Sequence, residues 1–273
     1  GDFDAARTAV MAERARKSDY QVPALDKALD VLEALADLPD GIAMSELTKT
    51  LGRSMGEIYR TMIALERRGF VLKDEATDRY YLSLRLFELA HRHPPVSRLV
   101  RIAQPILEEL ALSTKQSCHL GVAEGDRLLI LASEMSPLPM NYAVKVGATF
   151  PLLETSSGVV ILAFAPPEQI AARLAGLAPE YARKVEARCG AIRASGREVI
   201  ESQVVFGVTN LSLPVRDHRG RVVAAMTIPY LEQLTATVGR EQAAARVAEA
   251  ADTLSRALGF RSETVSDLKD AQQ

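Results

Sequence analysis

The run Ser45 to Gly52, followed at once by Ser54 to Gly69, constrains this chain more than any other part of it. Ser45-Glu46-Leu47-Thr48-Lys49-Thr50-Leu51 reads as a short helix closed by Gly52. Glu57 to Arg68 reads as a second helix that stops at Gly69. Two short helices joined through a glycine-containing turn form the core of a helix-turn-helix. Phe70-Val71-Leu72-Lys73 and Arg79-Tyr80-Tyr81-Leu82-Ser83-Leu84 are strand-like, and the polar Asp74-Glu75-Ala76-Thr77-Asp78 separates them. That is a hairpin in the place where a winged helix-turn-helix carries its wing. The expected partner is double-stranded DNA.

Leu25, Ala28, Leu29, Leu32, Leu35 and Ala36 recur with helical period after Pro23, and Pro39-Asp40-Gly41 ends them. This is the first helix of the same domain. Ser45 is placed to cap the second helix. On the third, Ile58, Met62 and Leu65 form the inward stripe. Gly56, Glu57, Tyr59 and Arg60 are left near its start for a groove.

At 273 residues the chain is comfortable for two domains. Its 48% hydrophobic content supports substantial cores. A net charge of −2 and a pI near 6.2 argue against indiscriminate nucleic-acid binding and leave room for a small specific reader. No apolar run is long enough to span a bilayer, and residues 1–20 do not read as a signal peptide. Cys118 and Cys189 have no metal-ligand spacing. The expectations are a cytoplasmic protein with no membrane association, no metal and no cofactor.

Residues 1–20 read as a flexible, solvated arm of balanced charge, and a minor-groove arm is the other reading. Residues 21–89 form the winged helix. A linker helix over 90–103 follows, with His91-Arg92-His93-Pro94-Pro95 as its break. Residues 104–273 form the second domain. Within it Cys118–Ala123, Arg127–Ser133 and 141–146 read as strands. Residues 157–165, 166–174, 179–200 and 241–258 read as helices. Val208–Val215 and Arg221–Pro229 read as paired strands. The fold class is α+β with a largely antiparallel sheet.

Three segments together resemble the IclR family of bacterial transcriptional regulators. They are Ala28 to Leu89, Val146 to Leu152 with Thr155-Ser156-Ser157-Gly158, and Phe206-Gly207-Val208 leading to Leu213–Asp217 and Gly220–Ala225. The resemblance covers about residues 22 to 260. It implies a GAF-like effector domain that binds a small organic acid. It also implies a homodimer, often a dimer of dimers. The expectation of no enzymatic activity rests instead on the residues, which offer no nucleophile–base–orienter set. Tyr81 to Leu89 and His119-Leu120-Gly121 are similar to members that sense sugar acids. Members commonly carry lysine, serine and threonine at the start of the recognition helix, where this chain has Met55, Gly56 and Glu57. Donors to phosphate are lost there, and a carboxylate able to accept from a cytosine amine is gained.

Each site has competing readings. Arg60 either holds a phosphate or guanine edge, or is a solvent arginine paired with Glu57 or Glu66. Lys73 and Arg79 either straddle the DNA backbone or are ordinary surface charges. Thr155-Ser156-Ser157-Gly158 caps a helix on residue chemistry alone, and the resemblance places effector contacts at Ser156 and Ser157. It places others at Asn210 and Thr227, with Asn210 where some relatives have cysteine and Pro229 where some have serine. Leu131, Met140 and Tyr142 are candidates for an apolar wall or for plain core. Cys118 and His119 are adjacent on a strand and point to opposite faces, so they form no catalytic pair. The reading is a ligand-responsive repressor of a catabolic operon, with a small carboxylate as effector. The rival is a small-molecule-binding or enzymatic domain with a vestigial helix-turn-helix.

Overall fold

The computed structural model describes residues 22–91, 94–233 and 237–261. The expected arm over 1–20 lies outside them. The chain divides into two compact units at the His93–Pro94 boundary.

In the first unit, α1 (Pro23–Ala36), α2 (Met44–Leu51) and α3 (Met55–Arg67) surround one core. Val31 and Leu35 of α1 meet Leu47 of α2 and Ile58, Met62 and Leu65 of α3. The short strand β1 (Ile42–Ala43) joins the hairpin of β2 (Val71–Asp74) and β3 (Arg79–Leu82) in the antiparallel order β1-β3-β2. Val71 and Tyr80 close the core from that sheet. The unit ends in α4 (Arg85–His91).

The second unit begins with α5 (Pro94–Thr114). The sequence reading divided the chain at 103/104, whereas α5 runs unbroken across that point. Leu99, Ala103, Leu107 and Leu110 all enter one core, because a single apolar stripe runs the length of the helix. The strands are β4 (Cys118–Glu124), β5 (Arg127–Glu134), β6 (Thr149–Pro151), β7 (Glu198–Glu201), β8 (Val208–Arg216) and β9 (Val222–Leu231). They form one antiparallel sheet in the order β6-β5-β4-β9-β8-β7. Two expectations are corrected here. Residues 141–146 form no strand, and β6 takes the neighbouring edge instead. Residues 198–200 belong to β7 rather than to a helix. The helix α8 (Pro179–Ser195) ends at Gly196, whose φ of +73° is a left-handed C-cap that terminates helical hydrogen bonding.

Helices cover both faces of this sheet. On one, α5 and α9 (Arg240–Ala257) pack on Leu120, Leu211, Met226 and Ile228. On the other, α6 (Ser156–Ala163) lies against the sheet under α8, with α7 (Pro167–Leu174) beside them. Beyond its two opening serines the helix α6 is apolar on every side, and all of it is buried except the half-buried Ile161.

Candidate functional site

The first candidate surface is the start of α3. Ser54 precedes the helix in extended conformation, and Glu57 folds back on it. Ser54 N–H donates to Glu57 Oε2 at 3.2 Å, and Ser54 Oγ donates to the same oxygen at 2.8 Å. This is the N-terminal half-turn that a Ser-x-x-Glu sequence encodes. Lys27 of α1 then pairs with Glu57 Oε1 at 2.7 Å. The Lys27 contact, with Ser54, holds the Glu57 carboxyl down to about 2. Both Glu57 oxygens are therefore engaged inside the protein. A second ion pair, Arg53 to Asp30 at 2.7 Å, ties the preceding turn to α1.

With Glu57 occupied, the exposed surface of the helix start is Met55, Gly56, Tyr59 and Arg60. Arg60 pairs with no acid among the described residues. Its two expected competitors are absent, since Glu57 goes to Lys27 and Glu66 is not in contact. Met55 is half exposed and was not among the expected contacts. Ser45 is exposed in the first turn of α2 and does not cap it, because the helix starts one residue earlier, at Met44. The side chain that reaches back to the helix start is Glu46, which accepts from Ala43 N–H at 3.4 Å.

The wing is built differently from the expectation. Arg79 turns back onto its own domain, donating from Nε to the Asp40 carbonyl at 3.1 Å and from Nη2 to the Gly41 carbonyl at 3.0 Å. Lys73 pairs with Asp78 at 2.6 Å and lies over the Tyr80 ring at 5.7 Å. The Asp78 carboxylate accordingly raises the Lys73 pKa. Between them, Asp74 accepts from Ala76 N–H at 2.8 Å in a tight turn. The hairpin thus carries three carboxylates against two internally satisfied cations. Lys73 and Arg79 do not form a pair of free charges at the wing tip.

The second candidate is a cavity of about 70 Å³ in the second unit, at the N-terminus of α6. Tyr142, Ser156, Ser157, Asn210 and Thr227 line it, together with His119, Glu154 and the apolar Leu128, Ile130, Val144 and Phe150. The helix start is specialised. Thr155 is the cap, its hydroxyl accepting from Gly158 N–H at 3.0 Å. A Cβ on Gly158 would lie 2.0 Å from the Leu152 carbonyl oxygen, so only glycine permits this close fold of chain over helix. Because Thr155 performs the capping, the hydroxyls of Ser156 and Ser157 turn to the sheet. Their own N–H groups lie beyond the reach of any intrahelical carbonyl.

Ser156 Oγ donates to Ser212 Oγ at 2.8 Å. Ser212 and Thr227 hydroxyls are 2.8 Å apart, and Thr227 and Ser157 hydroxyls 2.7 Å. All four residues are buried. Ser212 accepts from Ser156, so its own proton passes to Thr227. Between Thr227 and Ser157 either hydroxyl can donate, and the other is left to donate into the cavity. Ser212 was missed by the sequence reading; its alternation with Asn210 on one strand face was the available signal.

His119 was also missed as a site residue. It faces the cavity while Cys118 faces α5, its thiol donating to the Leu107 carbonyl at 3.3 Å. His119 stands opposite Thr227 in the β4–β9 register. Burial pushes its pKa down to about 4 and that of the Cys118 thiol up to about 12.

Leu131 and Met140 are corrected. The β4–β5 register skips from Ala132 to Ile130 between Leu120 and Gly121, leaving Leu131 as the extra residue of a bulge. Leu131 and Ala132 consequently both pack in the core against α5, away from the cavity. Met140 is 74% exposed on a loop, held by its carbonyl to Gln233. Among the described residues there is no cluster of metal-ligating side chains, and no helix is long and apolar enough to cross a membrane.

The two units match two family descriptions. Residues 24–75 match the IclR helix-turn-helix domain. Residues 95–256 match the C-terminal domain of the bacterial transcriptional regulator IclR. The HTH-type transcriptional regulator KdgR of Escherichia coli is 26% identical over 78% of this chain and 84% of its own length. The glycerol operon regulatory protein of Streptomyces griseus is 29% identical over 76% of this chain and 84% of its own. The crystal structure of HmgR from Pseudomonas aeruginosa superposes with a TM-score of 0.69 at 28% identity, covering 88% of this chain and all of that one.

Proposed function

We propose a ligand-controlled mode of action for this chain, which belongs to the IclR family of bacterial transcriptional regulators and is accordingly a DNA-binding regulator rather than an enzyme. In that mode it is a cytoplasmic repressor of a catabolic operon, released or tightened on its operator by a small organic or sugar acid. The observation that carries the reading is the start of α6. There a helix N-terminus, with about half a unit of positive charge, opens with two serines into a small buried cavity. A compact acid with a few further oxygens matches that volume and its hydroxyl lining. A long apolar ligand matches neither. The name of one relative supports the operon context, since it is a glycerol operon regulatory protein.

DNA reading is assigned to Gly56, Tyr59 and Arg60 with the neighbouring Met55. The active species is a homodimer or dimer of dimers, supported by the exposed apolar residues Leu25 and Leu29 on α1 and Leu84 and Phe87 around α4. A fluorescence titration of genomic fragments tests the whole reading, run with and without candidate acids, with light scattering on the same samples. The expected result is a dimer or tetramer with fragment-specific binding that an acid modulates. A monomer, or fragment binding indifferent to every small acid, contradicts it.

A further inference from the structure

The cavity has an unusual charge balance. Its lining contains no lysine or arginine, and it contains one carboxylate, Glu154. The positive end of α6 is therefore the only standing attraction for an anion. One other lining group is able to become a cation, and it is His119. That residue is 6% exposed, and its Nδ1 is buried with no hydrogen-bond partner among the described residues. A buried polar atom left unpaired costs stability, and such atoms are rare enough in native proteins to ask what fills the gap. Its position supplies the answer. His119 pairs in register with Thr227, and Thr227 bonds Ser157 at the end of the hydroxyl chain. The orphan nitrogen and the Ser157–Thr227 hydroxyl pair thus belong to one polar row on the cavity wall.

We propose that His119 contacts the effector and takes up a proton as a small acid binds, so that the anion and the proton enter together. The proposal rests on the acid-effector reading above. Nδ1 receives the proton from solvent and then donates it to a carboxylate oxygen, and the buried pair carries no net charge. Without ligand, burial keeps the imidazole neutral at pH 7. A carboxylate against it reverses the preference, because an opposite charge at contact distance favours the charged form. Other titratable groups at the cavity are Glu154, at its exposed margin, and Tyr142. The facing residues of β5, β8, β9 and α6 (Leu128 and Ile130, Asn210, Thr227 and Pro229, Ser156 and Ser157) carry no charge. Nothing else in the lining compensates a buried anion.

The experiment is calorimetric titration of the full-length protein with pyruvate, glycerate and gluconate, and with glycerol as the neutral probe. Each is run at pH 6, 7 and 8 in two buffers of different ionisation enthalpy. For an acid that binds, the expected result is uptake of about one proton per site, with affinity falling about tenfold per pH unit between the free-state and bound-state pKa values of His119 and levelling off above the latter. His119→Gln should abolish the proton uptake and weaken acid binding at least about tenfold. Thermal melts at pH 8 report whether that variant folds, and the wild-type buffer comparison stands without it. If an acid binds with no proton uptake and no pH dependence, the role of His119 is overturned while the acid-effector reading survives. If none of the acids binds the wild type at any pH, both are overturned.

Discussion

Ser157 Oγ lies 2.7 Å from Thr227 Oγ1, joining the first turn of α6 to the central strand β9. Ser212 extends the link to Ser156, so two successive serines of one helix are held by two neighbouring strands. Any group that displaces the helix start must rearrange this row.

Ser212 is the interior node and is fully buried. Ser212→Ala removes one acceptor and one donor at once and strands Ser156 and Thr227. The expected loss of stability is about 1–3 kcal/mol, the cost of leaving buried polar groups unpaired. Urea denaturation at pH 7 measures it. A change below about 0.5 kcal/mol would show that the hydroxyls repair themselves.

Arg60 and Arg79 should behave as opposites. Arg60→Ala should weaken binding to a cognate fragment by roughly 1–3 kcal/mol if it reads a guanine, with the thermal midpoint unchanged. Arg79 holds the Asp40 and Gly41 carbonyls. Arg79→Ala should lower the stability of the winged helix first, with any loss of DNA binding following from that. Parallel melting curves and binding isotherms separate the two. A stable Arg79→Ala variant with lost DNA affinity would return Arg79 to the DNA surface.

His119 also sets a pH dependence of folding. Its folded pKa is about 4, below the ordinary value of 6.5. For a base depressed by burial, the unfolded chain binds the extra proton between those values. Stability is therefore whole above pH 6.5 and is lost as pH falls towards 4, by up to roughly 3 kcal/mol. His119→Gln should flatten that stretch of the stability–pH curve. An identical slope in the variant would assign the acid sensitivity to other groups.

Much of this was legible in the sequence because local chemistry dictated it. Ser54 and Glu57 start a helix wherever they occur at that spacing, and Ile58, Met62 and Leu65 bury one face of it. Nothing local says that Lys27, thirty residues away, will claim the second oxygen of Glu57. Strand alternation correctly separated Cys118 from His119, whereas Asn210 and Thr227 came from the family resemblance. It failed at Leu131, because a bulge adds a residue without leaving a mark in the pattern. Met140 failed for a different reason: a loop between β5 and β6 has no periodicity to read. His119 and Ser212 stood on the right face of their strands. What the sequence does not contain is the cavity that gives those faces a purpose.

The central claim is that occupancy of the α6 start controls DNA affinity. Its most direct test is the affinity of a cognate fragment for wild-type protein and for Ser157→Leu, each titrated with an acid that the wild type binds. Leucine fills the cavity and removes the Ser157 hydroxyl from the row. The account predicts that the acid shifts DNA affinity in the wild type and has no effect on Ser157→Leu, whose affinity for DNA without acid stays intact. An acid response of equal size in both proteins would place the effector elsewhere and contradict the account.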